Sequence, residues 1–342
     1  MPQYNDIGID LGTSNILIFM RGKGVVLKEP SIVTIDRDSR KTLAIGNDAL
    51  RMLGRTPSNI LAVQPLRQGI ISDFELTSIM LRYFVQKTIG KRYFSRPRAI
   101  ISVPSGVNEI ERRSLVSIMY DIGMRKTQLL EKPLAAAIGA KLPIEQAYGT
   151  MIVDIGAGVT DIAVISGGRI IVSGMSKIGG HSFTDAITRY LRLRHNIAIG
   201  ERSAEEIKLT IGSAIARADE LHMDITGRNI LSGIPKTMKI SSTEICESLD
   251  DPLQVLSDNI RTALVDTPAE LASDIFDRGI TLSGGGAELY GIEHALKKSL
   301  NIDCTVANEA QTCVVRGCGE VLLNPKEYNR YVANSQKRYH GI

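Results

Sequence analysis

Two aspartates stand out because each closes an apolar run and is followed, two residues on, by a glycine. The first lies in Ile7-Gly8-Ile9-Asp10-Leu11-Gly12-Thr13-Ser14-Asn15, the second in Met151-Ile152-Val153-Asp154-Ile155-Gly156-Ala157-Gly158-Val159. The segments repeat at an offset of 144 residues, and each continues into a second apolar run. A glycine turn lets backbone N–H groups approach an anion with no Cβ in the way, which suits phosphate oxygens. Thr13, Ser14 and Asn15 add hydroxyl and amide donors. A carboxylate at each hairpin suits a magnesium ion held through its waters, so Asp10 and Asp154 are expected to face one another across a cleft. Gly284-Gly285-Gly286, after Ser283, is a third turn of this kind. No GxxxxGK[ST] occurs, and the first two turns lead into strands rather than helices, which argues against P-loop and dinucleotide-binding folds.

The surrounding chain alternates between periods. It predicts helices over 77–89, 109–122, 134–140, 183–194, 204–220 and 251–264, and strands over 98–103 and 280–282. Such alternation indicates an α/β protein with helices layered over sheets. A length of 342 residues exceeds what one hydrophobic core usually serves, so two lobes built on one plan are expected. With 43% apolar and 23% charged residues the chain is neither disordered nor fibrous. No apolar stretch is long enough to span a bilayer, and the N-terminal residues carry no secretory pattern. A net charge of +4 is too small to argue for nucleic acid. Cys246, Cys304, Cys313 and Cys318 are scattered without metal-ligand spacing, which predicts reduced thiols and a cytoplasmic protein. Residues 324–342 are expected to form a solvated, partly ordered tail.

The duplicated Asp-Gly hairpins and the late triple-glycine turn resemble the superfamily of actin, the heat-shock chaperone ATPases and the sugar kinases. The wording is more specifically similar to the MreB family of bacterial actins. IGIDLGTSN, GNDA from Gly46, GRTPSNI from Gly54, VPSG from Val103 and PLAAAIGA from Pro133 carry the likeness. So do DIGAGVTDIAVIS, IGERSAEEIK from Ile199, TPAELASDIFDRGITLSGGGAEL from Thr267 and VVRGCG from Val314. The resemblance covers about residues 5–323. It implies an actin-like two-lobed α/β fold with duplicated sheet-and-helix domains around a nucleotide cleft. Lobe I would hold 1–147 with 320–342 returning to it, and lobe II 148–319. It also implies an ATP- or ADP-binding, Mg2+-dependent protein that stacks head to tail into filaments and contributes to cell shape or motility. Further implied partners are paralogues of the family and the inner face of the cell membrane. By motif, Thr13, Ser14, Asn15, Gly156, Ala157 and Gly158 would clasp the phosphates. Glu205 and Lys208, one helical turn apart, would flank the adenosine, with Gly284, Gly285, Gly286 and Ala287 closing its adenine side and Gly179-Gly180 nearby. On residue types alone, Glu205 and Lys208 also read as an exposed ion pair.

The chain departs from the family at two catalytic positions. Where the resemblance implies a glutamate that takes a proton from the attacking water, this sequence has Lys132, between Glu131 and Pro133. A protonated lysine accepts no proton, and loss of a positioned base typically costs about 10²–10⁴-fold in rate. Glu131 is a poor replacement, because a residue before a pre-proline position in an extended stretch points to the opposite side. Lys132 reads instead as a phosphate clamp. Val159 stands where the family usually has a threonine, although actin itself also has Gly-Val-Thr there. Together these predict nucleotide binding with weak hydrolysis. The competing class is an active ATPase or phosphotransferase of the same superfamily. A chaperone is expected to carry a substrate domain after the nucleotide lobes, where this sequence has only residues 324–342, and a sugar kinase an acceptor pocket with a catalytic Asp, for which no candidate motif is found. Lys91-Arg92-Tyr93-Phe94-Ser95-Arg96 falls where the family carries a membrane-touching loop, with Tyr93 and Phe94 as the inserting side chains.

Overall fold

Both apolar runs that end in an aspartate become strands flanked on either side by other strands, and the remaining elements are laid down around them. The computed structural model describes residues 5–53, 59–67, 69–90 and 97–334. The chain divides into two compact units, 1–144 with 312–342, and 145–311.

In the first unit Ile7–Leu11 pairs antiparallel with Asn15–Met20, which pairs antiparallel with Gly24–Pro30. On its other edge Ile7–Leu11 runs parallel to Arg98–Val103, and that strand parallel to Lys126–Glu131. A sixth strand, Ala333–Asn334, completes the sheet. The second unit repeats the plan. Thr150–Ile155, Thr160–Ser166 and Arg169–Ser176 form the antiparallel meander, and Ile280–Ser283 and Cys304–Val306 add the parallel pair. The register repeats too, with Asp10 opposite Leu17 and Asp154 opposite Asp161, both seven residues along the chain. The sequence repeat is thus a repeat of topology.

Ile7, Ile9 and Leu11 point to one side of their strand, where they pack with Met80, Phe84, Ile101 and Ile118. Gly8 and Asp10 face the other side. There a Cβ on Gly8 would stand 2.9 Å from that of Cys318 on helix Cys313–Leu323. This helix lies against Lys132–Gly139 at two glycines. A Cβ on Gly139 would fall 1.8 Å from the Cys313 carbonyl oxygen, and one on Gly317 1.8 Å from that of Ala135. That packing returns the chain to the first unit at Thr312, and the second unit begins at Glu145.

Strands Arg98–Val103 and Ile280–Ser283 and helix Glu109–Ile122 form close to where the sequence places them. Asn108 and Glu111 make a reciprocal capping box and Gly123 ends the helix in the left-handed region. Two expectations are corrected. The helix expected over 204–220 spans Glu201–Ile211 and stops at Gly212, where a Cβ would meet the Lys208 carbonyl oxygen at 2.2 Å. The backbone then turns to pair Ser213 and Ala214 with Tyr290. The helix expected over 251–264 is Ser242–Val265, which runs through Pro252. Its buried stripe of Ile245, Leu249, Leu256 and Ile260 offsets the hydrogen bond that the proline removes.

Candidate functional site

Each unit builds the same turn. A Cβ on Gly12 would stand 2.5 Å from the Asn15 carbonyl oxygen, and one on Gly156 2.9 Å from that of Val159, so both turns close where a side chain has no room. Asn15 and Val159 are therefore equivalent positions in the two hairpins. Thr13 is buried, and its hydroxyl accepts from the Gly69 N–H at 3.0 Å. The Ser14 carbonyl accepts from the Ser31 N–H at 2.8 Å, and the Ser31 hydroxyl donates to the Gly12 carbonyl at 2.7 Å. The first turn is thus clamped from behind, with Gly12, Ser14 and Asn15 half-buried.

The carboxylates are held alike. The Ser102 hydroxyl donates to Asp10 Oδ1 at 2.8 Å, and the Ser283 hydroxyl to Asp154 Oδ1 at 2.7 Å. Each serine sits on the strand parallel to the aspartate's own, at the directly neighbouring register in the second unit. The sequence reading missed both serines. Their separations from the aspartates, 92 and 129 residues, differ, so no fixed-period repeat reveals them.

Lys132 distinguishes the first unit. Its Nζ lies 3.3 Å from Asp10 Oδ1, and both side chains are about nine-tenths buried, at 9% and 11% exposure. It opens helix Lys132–Gly139 at the end of Lys126–Glu131, two strands from Asp10 across Arg98–Val103. Glu131 is occupied elsewhere: the Ser105 hydroxyl lies 3.4 Å from one carboxylate oxygen and Arg112 3.9 Å from the other. Cys318 lies beneath the pair. Burial first, and then the Asp10 charge, push its thiol well above the usual range, with Lys132 pulling the other way.

In the second unit the glycine motifs converge. The Gly180 N–H donates to the Gly156 carbonyl at 2.9 Å and the His181 N–H to that of Ala157 at 2.8 Å, seating helix Gly180–His195 on the hairpin turn. A Cβ on Gly179 would meet the Ala157 carbonyl oxygen at 2.7 Å. Lys208 donates to the Gly180 carbonyl at 2.9 Å and to the Thr184 hydroxyl at 3.1 Å, and pairs with Glu205 at 2.6 Å. The Thr184 hydroxyl donates to the same Glu205 oxygen at 2.6 Å. Glu205 and Lys208 are accordingly the ion pair that their spacing allows, and they are fastened to the glycine turn by Thr184, a residue the sequence reading did not select. Gly284 has φ +84°, and a Cβ there would meet the Ile155 carbonyl oxygen at 2.4 Å. The Gly285–Glu288 turn therefore lies against the residue that precedes Gly156 and buries Ala287, while Gly158 stays half-buried at the hairpin tip. Val159 is buried, and the neighbouring Thr160 hydroxyl is given to the Ile178 carbonyl at 2.8 Å.

Each turn, taken by itself, keeps side chains off its backbone, a shape that suits phosphate oxygens. The Ser283 hydroxyl orients the Asp154 carboxylate, whereas a cation at Asp10 would share an oxygen with an ammonium. Among the described residues no group of three or more His, Cys, Asp or Glu could hold a metal ion directly. Tyr93 and Phe94 lie outside the described residues. No helix among the described residues is long and apolar enough to cross a membrane.

The profile described as MreB/Mbl protein matches residues 4–330. The cell shape-determining protein Mbl of Bacillus cereus is 43% identical over 319 residues, covering 93% of this chain and 96% of that protein. The cell shape-determining protein MreB of Escherichia coli is 43% identical over 324 residues, covering 93% of each. Among solved structures, MreB5 of Spiroplasma citri bound to ADP aligns with a TM-score of 0.90 at 36% identity, covering 95% of this chain and 98% of that one. The MamK double helical filament aligns at a TM-score of 0.78 and 19% identity, covering 93% and 98%, a likeness of fold. The chain has the actin-like fold and belongs to the MreB/Mbl family of cell shape-determining proteins.

Proposed function

We propose that this chain is an adenine-nucleotide-binding bacterial actin that assembles head to tail and hydrolyses its nucleotide slowly. The observation that carries the reading is the matched pair of Asp-Gly hairpins, each with its aspartate fixed by a serine from the adjacent parallel strand. Crystal structures of the similar MreB5 with ADP and with AMPPNP support the ligand class. The two units correspond in this reading to the family's lobes. Thr13, Ser14, Asn15, Gly156, Ala157 and Gly158 contact the phosphates, while Glu205, Lys208 and the Gly284–Ala287 turn attend the nucleoside with Gly179 and Gly180 behind them. Asp154 stands by the magnesium waters, while Asp10, whose Oδ1 is already met by Ser102 and Lys132, contributes less to them.

Head-to-tail stacking is a heterologous contact that does not close, so it yields filaments. Slow hydrolysis follows from Lys132 and Val159 at the positions where a proton acceptor and a hydroxyl are expected. ATP and ADP titrations, light scattering with micrographs, and a phosphate-release assay test the three parts. Micromolar binding, scattering that rises with concentration, and release far below that of an ordinary MreB are expected. Absent binding, monomers alone at high concentration, or brisk release would each overturn the corresponding part. The membrane reading of Tyr93 and Phe94 rests on sequence and is tested by liposome pelleting of the chain and of its Tyr93→Ser/Phe94→Ser variant. Equal pelleting of the two would remove it.

A further inference from the structure

We propose that Lys132 performs within the first unit the charge balancing that a divalent cation otherwise performs at Asp10, so that nucleotide binding by this chain depends only weakly on magnesium. The inference rests on the nucleotide reading and deepens it. A polyphosphate brought near a buried, unbalanced carboxylate is repelled, and a hydrated divalent cation between them removes the repulsion. Here the compensating charge is part of the chain. The Lys132 ammonium stands 3.3 Å from Asp10 Oδ1, the same oxygen that accepts from the Ser102 hydroxyl at 2.8 Å.

The placement is fixed by the fold. Lys132 follows directly on strand Lys126–Glu131, whose Leu130 lies opposite Ser102. Its side chain must therefore reach across the width of Arg98–Val103, two strand spacings of roughly 4.8 Å each, to meet Asp10. A four-carbon stem carries its charge that way, whereas a glutamate's shorter stem stops nearer its own strand. Burial of both side chains holds the pair, because an ammonium removed from water stays charged only with a partner. The hairpin of the second unit fixes Asp154 with the matching serine. Any remaining magnesium dependence is expected to come from that carboxylate and from the phosphates themselves.

The test measures affinity rather than turnover. ATP is titrated into the full-length chain by calorimetry in magnesium and in EDTA, and again with Lys132→Met and Lys132→Glu. The unaltered chain should bind with affinities within about threefold of one another in the two buffers. Lys132→Met, which keeps the stem and removes the charge, should lose about tenfold in EDTA, and Lys132→Glu more than that. A loss above about tenfold for the unaltered chain in EDTA would overturn the inference while leaving nucleotide binding intact. So would a magnesium-to-EDTA ratio that Lys132→Met leaves unchanged. No binding by the unaltered chain in either buffer would overturn the nucleotide reading and the inference with it. The comparison within the unaltered chain holds even if a variant folds poorly.

Discussion

If, as proposed, position 132 is where the attacking water needs its proton acceptor, a lysine there offers none, and its neighbours do not make good the loss. Glu131 is engaged by Ser105 and Arg112, and the Thr160 hydroxyl is committed to the Ile178 carbonyl. Lys132→Glu combined with Val159→Thr should therefore raise phosphate release at saturating magnesium by at least about tenfold, and more than either change alone, because both act on one water. A phosphate-release time course checks this, and an unresponsive double variant would place the defect in some other step. In the second unit, Lys208→Met should loosen Gly180 and Thr184 and leave Glu205 with the Thr184 hydroxyl but no ammonium. ATP affinity should fall by about tenfold or more, a change of about 1.4 kcal/mol, read by the same calorimetric titration.

At the scale of elements, two helices meet where neither tolerates a side chain. Helices Lys132–Gly139 and Cys313–Leu323 touch backbone to backbone at Gly139 and Gly317, and a methyl at either would overlap a carbonyl oxygen. Gly317→Ala should cost about 3 kcal/mol or more, seen as a lower midpoint in thermal or denaturant unfolding. The same change should disturb Lys132, which opens one of the two helices. A second element contact is set by charge. Glu29 on strand Gly24–Pro30 is buried, which on its own raises its pKa. The hydrogen bond from Lys87 at 2.6 Å, and that from the Asn47 N–H at 2.8 Å, outweigh burial and bring it below its ordinary value of 4.5. A carboxylate whose folded pKa is depressed stabilises the fold above the unfolded value and loses that contribution as pH falls through the folded one. Glu29→Gln should therefore destabilise the chain at pH 7, and the difference from the unaltered chain should shrink below pH 4.5, as denaturant midpoints across pH would show.

Across the whole molecule the four cysteines share one fate despite their scattered positions. Cys313 and Cys318 are buried, and burial pushes the Cys304 thiol up to about 11 and raises Cys246 as well. The thiolate is the reactive form, so at pH 8 Cys304 in the native chain should react with a thiol reagent roughly 100-fold more slowly than a free thiol, Cys246 should also be slowed, and all four should react once the chain is unfolded. A fast phase of one or more equivalents in the native protein would contradict this placement. The topology carries a broader consequence. Two units with the same meander and parallel pair each bury their own core, so each hairpin is carried by the packing of its own unit.

What the sequence determined by itself is what local chemistry dictates. The Asp-Gly hairpins, the capping box and Gly123 around Glu109–Ile122, and the i,i+3 pairing of Glu205 with Lys208 all depend on residues a few positions apart. Helix Glu201–Ile211 marks the limit, because its stop at Gly212 is completed by pairing with Tyr290, far along the chain. Pro252 marks the same limit from the other side: a residue that locally reads as a break is carried inside a helix by the packing of that helix on the core. Ser102 and Ser283 reach their aspartates only through parallel strand register, which joins segments 92 and 129 residues apart. Position 132 shows the difference most plainly. The sequence identified Lys132 as a departure from its family and assigned it to phosphate, whereas sheet order placed its charge against Asp10. Residue type decided that a charge would be there, and the order of strands decided what it would face.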